Sequence, residues 1–260
     1  MKRRVLVEPP VGQQNQKSCV ETIRQRFDQD VERFSNLEVG QQAAVDGALA
    51  IDLIAQASSL VAPKASHVLD LGCGAGNFSL RLREYYPQAE FTLVDLSQPM
   101  LSRAEQRMKQ AGCQNVTTIQ QDLRLLEIPD ASVDIIVAAA VLHHLRTPDQ
   151  WQQMFQQCYR WLQPGGAIWV YDLVESDHPA VSQLMWSEYA AYLVELNGEE
   201  YQQTVFEYIA AEDSPFSLTQ QLEMMKSAGF TKTEVVHKKA CFAAYGAIKS
   251  SEISPTGALR

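Results

Sequence analysis

Short apolar runs alternate along the chain with longer segments whose apolar residues recur every three or four positions. The short runs have the length of buried strands, and the longer segments have the spacing of helices that bury one face. Between residues 67 and 172 the alternation is regular, which predicts parallel strands joined by right-handed helical crossovers. The five strands predicted in this part are Val68–Leu71, Phe91–Val94, Val116–Ile119, Val133–Ala140 and Ala167–Asp172.

The pattern changes after the fifth predicted strand. Residues 173–228 have helical spacing and no strand pattern, so we expect a helical cap there instead of a short crossover. Two further strands follow at Thr233–His237 and Cys241–Ile248, and the short link between them indicates an antiparallel pair. The sequence therefore predicts an α/β protein with a mostly parallel seven-stranded sheet whose last strand is antiparallel.

The ends of the chain differ in composition from this central part. Helical spacing in 18–36 and 41–61 predicts two helices ahead of the first strand. Proline, glycine and glutamine near the start predict a flexible arm. The predicted divisions are an arm at 1–17, a single domain at 18–249 with N-terminal helices at 18–64 and a helical cap at 173–228, and a flexible tail at 250–260.

A glycine-rich loop follows the first predicted strand. In the sequence VLDLGCGAGN, residues 68–77, Gly72, Gly74 and Gly76 alternate with small residues ahead of the next predicted helix. Glycine lets the backbone approach a ligand closely, and the free N–H groups at a helix start point toward that ligand. Asn77 stands where the dinucleotide fingerprint has another glycine to seat a pyrophosphate. The loop therefore predicts a nucleoside ligand that has no pyrophosphate.

Acidic residues stand at the ends of the first three strands: Asp70, Asp95 and Asp122. At the end of the second strand, the carboxylate of Asp95 is placed to accept hydrogen bonds from both hydroxyls of a ribose. Met100, in the helix that follows, is placed either against a purine or in the core. With no phosphate implied, the set suits a nucleoside whose tail is an amino acid.

In order and spacing these motifs resemble those of the class I S-adenosylmethionine-dependent methyltransferases. The resemblance is close over residues 65–172 and extends to the architecture of 20–249. It implies a Rossmann-like three-layer sandwich, S-adenosyl-L-methionine as cofactor and methyl transfer to a small-molecule acceptor. The implied cofactor-binding residues are Asp70, Gly72, Cys73, Gly74, Gly76, Asp95, Leu96, Met100, Asp122, Leu123 and Ala138.

Two other classes of protein stay open on these motifs. A nicotinamide-dependent oxidoreductase would also have an acidic residue that binds ribose, but such an enzyme would not need an acidic residue at position 122. A protein that binds the cofactor without catalysis would have the same motifs through residue 166.

One subgroup, the carboxy-S-adenosylmethionine synthases that serve tRNA wobble-uridine modification, is similar beyond the core. The similar segments are Phe27–Phe34, the helix end Ala228–Phe230 and the strand start Cys241–Phe242. That family holds the extra carboxylate of its cofactor with an arginine in the segment that corresponds to the cap, and this cap has none. Because a buried carboxylate without a cationic partner is unfavourable, we expect ordinary S-adenosylmethionine unless Arg24, Arg26 or a neighbouring subunit supplies the charge.

Two histidines follow the fourth predicted strand, where acceptor and methyl group would meet, and many related methyltransferases have a similar pair there. His143 is predicted to face the site as a general base, since histidine titrates near pH 7. His144 is predicted either to face the site as well or to pack behind the end of the strand. Asp172 and Tyr171, at the tip of the fifth strand, are further catalytic candidates, or else a helix cap and a core residue. The five cysteines are scattered without a Cys-x-x-Cys pair, so no metal site is predicted.

The charge of the cap is one-sided. Residues 161–225 contain no lysine or arginine, and the chain has a net charge of −9. This pattern indicates either a solvated acidic surface or a negative potential that favours a neutral or cationic acceptor. Both interpretations disfavour nucleic acid, although Lys2, Arg3 and Arg4 leave a contact at the N-terminus open.

The sequence also gives an expectation for location. No apolar run is long enough to span a bilayer, and the first residues lack a long apolar core with a cleavage site. We therefore expect a cytoplasmic protein without membrane contact, and the sequence leaves a homodimer open.

Overall fold

The structure is a computed structural model that describes residues 6–10, 17–36 and 42–251. Most of the predicted arm, including Lys2, Arg3 and Arg4, lies outside the described residues, as does the tail beyond 251. The described strands are β1 (His67–Leu71), β2 (Glu90–Asp95), β3 (Val116–Gln120), β4 (Val133–Ala139), β5 (Leu162–Leu173), β6 (Lys232–Lys239) and β7 (Phe242–Ile248). They form one seven-stranded sheet in the order β3-β2-β1-β4-β5-β7-β6.

The strand pairing confirms the predicted topology. β1 pairs in parallel with β2 and β4, so that Val68 lies opposite both Phe91 and Ile135. β7 lies between β5 and β6 and runs antiparallel to both. The sheet is therefore mostly parallel with an antiparallel last strand, as in Rossmann-like proteins. The carboxyl ends of its parallel strands meet at one edge, which is where ligands bind in open α/β sheets.

Helices cover both faces of the sheet. They are α1 (Val20–Gln29), α2 (Val31–Ser35), α3 (Gly47–Val61), α4 (Asn77–Tyr85), α5 (Gln98–Gln110), α6 (Pro148–Trp161), α7 (Pro179–Glu212) and α8 (Leu218–Ala228), with 3₁₀ turns at Leu123–Leu125 and Leu142–His144. The single helix predicted over 18–36 is interrupted at Asp30, whose φ of −98° and ψ of 9° are not helical. The helix predicted from residue 41 begins at Gly47.

Alternate residues of the strands face the two helical layers. In β1, Val68 packs in the core cluster that includes Ile54 of α3, whereas Leu69 packs in the cluster that includes Trp151 of α6. All four of these side chains are at most 1% exposed. Since the period of a strand is two, Asp70 lies on the same face as Val68 and is buried there.

β5 begins earlier than predicted. Val133 pairs with Leu162 and Ile135 pairs with Ala167, so the register shifts over residues 163–166. A Cβ on Gly166 would lie 2.6 Å from the carbonyl oxygen of Asp134, which explains the glycine in this irregular pairing. Residues 162–166, which precede the predicted strand, are therefore part of β5.

The predicted cap consists of two helices. α7 is kinked at Asn197 and Gly198, where the backbone leaves the helical region. α8 begins with a capping box, in which Ser217 accepts a hydrogen bond from the N–H of Gln220 and the Gln220 side chain accepts one from the N–H of Ser217. Within the described ranges, every helix is too short or too polar to cross a membrane.

Candidate active site

A cavity of about 420 Å³ opens at the carboxyl ends of the parallel strands. The loops after β1, β2, β3 and β4 and the end of β5 line one side of it, and α1, α2 and α7 line the other. Apolar and aromatic side chains dominate the helical side, including Ile23, Phe27, Phe34, Tyr189 and Tyr201. The cavity therefore lies between the carboxyl edge of the sheet on one side and the N-terminal helices and the cap helix α7 on the other.

Asp95 supports the glycine loop and lines the cavity at the same time. Its Oδ2 accepts a hydrogen bond from the N–H of Gly74 at 2.9 Å, and its Oδ1 accepts one from the N–H of Ser97 at 2.9 Å. Both Gly74 and Asp95 line the cavity, and a Cβ on Gly74 would meet nothing within 4 Å. The loop thus borders open space beside a carboxylate, which is the arrangement that a ribose and a short polar tail require.

Gly72 and Gly76 differ in what surrounds them. Gly72 lines the cavity with a φ of 68°, and a Cβ there would lie 2.4 Å from Cγ2 of Val141. Gly76 is absent from the cavity wall: a Cβ there would lie 3.1 Å from the Cβ of Ala104 in α5. The small size of Gly76 permits close packing of α4 against α5, and its part in cofactor binding stays a prediction.

Cys73 and Asp70 are buried beneath the loop, and both line the cavity. Burial raises the pKa of the Cys73 thiol well above its usual value, so this thiol is not reactive. Asp70 accepts a hydrogen bond from the hydroxyl of Ser79. Burial raises the pKa of Asp70 to about 7, which the Ser79 hydrogen bond opposes and the charge of Asp95 reinforces. A buried carboxyl of this kind is stabilised in its ionised form by a bound ammonium group.

Four more of the implied cofactor-binding residues line the cavity: Leu96, Met100, Asp122 and Leu123. Met100 is 1% exposed and packs in the helix layer, so it belongs to both the core and the wall. Asp122 caps the 3₁₀ turn, and its Oδ1 accepts hydrogen bonds from the backbone N–H and Nε of Arg124 at 3.0 and 2.9 Å. Part of its capacity to bind a ligand is therefore already used.

Ala138 faces away from the cavity. It packs in the opposite core cluster with Leu69 and Ile136, and the wall at this strand end is formed by Ala139 and Ala140. Because successive strand residues point to opposite faces, an offset of one position moves the contact from Ala138 to Ala139. The assignment of Ala138 to cofactor binding is corrected accordingly.

The 3₁₀ turn after β4 places His143 and His144 in the cavity wall. Nδ1 of His143 is hydrogen-bonded to the carboxylate of Asp172. Asp172 is completely buried and also accepts hydrogen bonds from the backbone N–H groups of Leu142 and Leu173, each at 2.8 Å. Asp172 does not line the cavity, so the catalytic role predicted for it becomes a positioning role: it orients the imidazole of His143.

Tyr171 lines the cavity with its ring, but its hydroxyl is engaged elsewhere. The hydroxyl donates a hydrogen bond to the carbonyl oxygen of Val45 at 2.7 Å, and burial raises its pKa above the usual value. The ring stacks between Phe78 and Phe242. The structure therefore corrects the catalytic assignment of Tyr171, which fixes the segment before α3 against the sheet.

Asp213, which follows α7, completes the corner that contains the histidines. One of its carboxylate oxygens lies 3.5 Å from Nε2 of His143 and 3.4 Å from Nδ1 of His144. Burial disfavours a charged His143, but Asp172 and Asp213 outweigh it and raise its pKa to about 9. Burial and the charge of His143 hold the pKa of His144 well below its usual value. Burial raises the pKa of Asp213 to about 6.

No local pattern in the sequence marks Asp213 or Glu212 as site residues. Both belong to the acidic cap, and nothing near them in the sequence shows that they are buried. The one available signal was the sequence Glu212-Asp213-Ser214-Pro215 at the end of a predicted helix, where a loop could return to the sheet.

Four arginines line the cavity, although the cap has none: Arg26, Arg33, Arg124 and Arg146. They come from α1, α2, the first 3₁₀ turn and the loop after β4. These cations oppose the negative potential predicted from the cap sequence, but Arg26, Arg33 and Arg124 are each paired with a carboxylate. That the entrance favours a neutral or cationic acceptor stays a prediction.

The two arginines considered as partners of a cofactor carboxylate are already paired. Arg26 donates to both carboxylate oxygens of Glu212, through Nε at 2.8 Å and through Nη2. Arg24 donates to Glu21 at 2.8 Å and to Asp28 at 2.6 Å, and it does not line the cavity. Neither guanidinium is available to an extra carboxylate without giving up a protein partner, which favours ordinary S-adenosylmethionine.

Comparison with known proteins agrees with the fold and the site. Residues 68–166 match the model of the methyltransferase domain family. A demethylmenaquinone methyltransferase of Listeria welshimeri is 27% identical over 194 residues, which cover 73% of this chain and 80% of that protein.

Solved structures with the same fold include the S-adenosylmethionine-dependent methyltransferase SibL in its apo form, with a TM-score of 0.53 and 18% identity. The match covers 76% of this chain and 56% of SibL. Magnesium protoporphyrin IX methyltransferase of Synechocystis, solved with bound S-adenosylhomocysteine, has a TM-score of 0.60 and 17% identity over 88% of this chain and 99% of that one.

The sheet order and the glycine loop supported by Asp95 are like those of class I S-adenosylmethionine-dependent methyltransferases, and residues 68–166 match a methyltransferase domain. The chain is an enzyme of this class: its cofactor is S-adenosyl-L-methionine, and it transfers a methyl group to a small-molecule acceptor. The alternatives of a nicotinamide-dependent oxidoreductase, a cofactor-carboxylating enzyme and a non-catalytic binding protein are not favoured.

Proposed function

We propose that S-adenosylmethionine binds along the glycine loop and that the acceptor lies beside His143. In this arrangement Asp95 accepts hydrogen bonds from the ribose hydroxyls, and the methionine ammonium lies near Asp70. The adenine lies beside Met100 and Leu123. The support for this arrangement is that one cavity is lined by all five of these residues.

The residues of the chain contribute position and environment to the reaction. When bound, the cofactor would supply an activated methyl group: the acceptor atom would bond to the methyl carbon as the carbon–sulfur bond breaks, the electron pair would stay on sulfur, and the proton of the acceptor would pass to solvent. His143 meets the reacting end of the acceptor because Asp172 fixes its ring with Nε2 toward the cavity. The buried wall excludes water and aligns the two reactants.

The cavity wall suits an apolar acceptor with a ring system. Phe27, Phe34, Tyr189, Tyr201 and Tyr208 line its helical side, and large apolar rings pack favourably against such side chains. The acceptor implied by the name of the Listeria relative, a demethylmenaquinone, has this character. We therefore propose a neutral, hydroxylated aromatic or quinol-like acceptor.

We further propose that the enzyme acts in the cytoplasm and that residues 18–249 form one domain whose cap completes the site. All five cysteines are free thiols, which suits a reducing compartment. A homodimer is a proposal that light scattering of the purified protein tests directly: a mass near twice 29.1 kDa supports it, and a mass near 29.1 kDa contradicts it.

The activity is tested with S-adenosylmethionine carrying a labelled methyl group and a panel of quinols, phenols and amines. We expect label transfer to hydroxylated aromatic compounds and calorimetric binding of S-adenosylmethionine but not of NAD. Transfer only to amines or to RNA would contradict the proposed acceptor class. Binding of the cofactor without transfer to any member of the panel would contradict the proposal as a whole.

A further inference from the structure

His143, His144 and Asp213 form a compact group of potential metal ligands in the cavity wall. One ligand atom of each side chain lies within 4.8 Å of the ligand atoms of the other two. Oδ1 of Asp213 is 3.5 Å from Nε2 of His143 and 3.4 Å from Nδ1 of His144. These separations exceed ordinary hydrogen-bond lengths. They match the distance of about 3.3 Å between two ligand atoms that each lie about 2.0 Å from a tetrahedral metal ion.

The hydrogen bonds around these side chains leave the correct atoms free. Nδ1 of His143 is bonded to Asp172, so a metal ion that displaces the proton on Nε2 leaves the remaining proton on Nδ1 and finds the Nε2 lone pair facing Asp213. A carboxylate behind the far nitrogen of a metal-bound histidine is the usual arrangement. Nδ1 of His144 is buried and, among the described residues, has no hydrogen-bond partner. A buried ring nitrogen without a partner is unfavourable unless something absent from the protein binds it.

Backbone contacts hold the third ligand in place. The N–H of Ser214 donates to the carbonyl oxygen of His143 at 2.7 Å, which joins the end of α7 to the 3₁₀ turn. The side chain of Lys17 donates to the carbonyl oxygens of Ala210, at 2.7 Å, and of Asp213. Asp213 is therefore positioned by the fold and not by its contact with the histidines.

The charge balance of the corner also favours a cation. Asp172 and Asp213 are both less than 9% exposed, both contact His143, and the Lys17 ammonium bonds to the backbone carbonyl of Asp213. The neighbouring Glu212 is neutralised by Arg26. Two buried carboxylates in one corner are stabilised by positive charge, which a protonated His143 supplies without a metal ion and which a bound cation supplies when it displaces that proton.

We propose that Nε2 of His143, Nδ1 of His144 and a carboxylate oxygen of Asp213 bind one divalent transition-metal ion, whose open position binds an oxygen of the acceptor. Two nitrogens and one carboxylate suit Zn²⁺ or a similar first-row ion, and three protein ligands leave a position for substrate. A hydroxyl bound to such an ion loses its proton more readily. His143 then acts as a ligand instead of the general base predicted from the sequence: the ion would lower the pKa of the bound hydroxyl, and the released proton would pass to solvent. Only the part of this inference that concerns the acceptor rests on the proposed function.

Metal binding is tested with the full chain, without a histidine tag, after treatment with EDTA and dialysis. Isothermal titration with Zn²⁺ should give one site per chain. Asp172→Asn removes a residue that contacts a ligand without touching the metal, and should weaken Zn²⁺ binding about 10–100-fold. Asp213→Asn and His144→Phe each remove a ligand and should weaken Zn²⁺ binding by more than that. His178→Gln is the matched control, because His178 is an exposed histidine at the start of α7, and its affinity should equal that of the wild type.

Substitution with Co²⁺ adds a readout that depends on the ligands. Visible absorption bands of a four- or five-coordinate ion should appear in the wild type and in His178→Gln, and they should be lost in Asp213→Asn and His144→Phe. Circular dichroism shows whether each variant folds, and two different ligands are replaced so that one misfolded variant does not decide the result.

The outcomes separate this inference from the proposed function. If the wild type binds Zn²⁺ no more tightly than the two ligand variants do, the metal site is refuted, while binding of S-adenosylmethionine and methyl transfer stay unaffected. If the metal binds as described but no acceptor is methylated, the proposed function fails and the metal site stands. If EDTA treatment leaves methyl transfer unchanged while the metal site is confirmed, the role of the ion in binding the acceptor is refuted.

Discussion

Replacement of Asp95 by alanine tests the cofactor site, because this carboxylate has two separate tasks. It accepts hydrogen bonds from the N–H groups of Gly74 and Ser97, both at 2.9 Å, and it lines the cavity where we place the ribose. A hydrogen bond to a charged group contributes about 1.5–3 kcal/mol. Loss of the two backbone hydrogen bonds should lower the free energy of unfolding by about 2–4 kcal/mol, since water can reach the N–H groups that border the cavity.

The same substitution should weaken cofactor binding more strongly. Two ribose hydroxyls lose their charged acceptor, and the glycine loop loses its support. A loss of about 3 kcal/mol or more corresponds to a dissociation constant raised about 100-fold or more. Calorimetric titration with S-adenosylmethionine measures the affinity, and urea denaturation measures the stability.

Ser97→Ala is the matched control for Asp95→Ala. The hydroxyl of Ser97 accepts a hydrogen bond from the N–H of Met100 at the start of α5. Its loss should reduce stability by about 1 kcal/mol, as for other helix caps, with cofactor affinity unchanged within about twofold. The reasoning is refuted if Asp95→Ala folds and binds S-adenosylmethionine as tightly as the wild type. It is also refuted if Ser97→Ala weakens the cofactor equally.

Three further predictions follow from the geometry of the site. In Gly72→Ala the new Cβ would lie 2.4 Å from Cγ2 of Val141 at a φ of 68°, so we expect a loss of at least about 2 kcal/mol of stability and impaired cofactor binding. Gly198→Ala has a similar φ of 86° but no atom within 4 Å of the new Cβ, and should cost only about 1 kcal/mol; equal melting temperatures of the two variants would contradict this. The pKa of Asp70 is raised to about 7, and the methionine ammonium of the cofactor needs the ionised carboxylate. Affinity for S-adenosylmethionine should therefore fall as the pH drops below 7, by up to about tenfold per pH unit, and Asp70→Asn should remove this pH dependence. A wild-type affinity that does not change between pH 5.5 and 8 would argue against this role of Asp70. Tyr171→Phe should lose about 1 kcal/mol of stability with kcat within about threefold of the wild type, whereas a loss of two orders of magnitude in kcat with the fold intact would restore its catalytic role.

Several site residues were predictable because their signal is local. The glycine loop, Asp95 and the paired histidines each follow a predicted strand by a fixed short distance, and the carboxyl ends of parallel strands must share one edge of the sheet. Errors of one position arose where the face of a strand decides the contact: Ala138 was chosen, but Ala139 lines the cavity.

The sequence by itself determined the order of strands and helices, the α/β class and the place of the cofactor loop, since each depends on periodicity and on residues close together in the chain. Only the tertiary structure decided the rest. The hydroxyl of Tyr171 donates a hydrogen bond to the carbonyl oxygen of Val45, 126 positions away in the sequence. The guanidinium of Arg26 pairs with the carboxylate of Glu212, 186 positions away. Asp213 reaches His143 only because α7 returns to the sheet. Partners of this kind are set by packing between distant segments, and no local pattern of hydrophobic and polar residues specifies them.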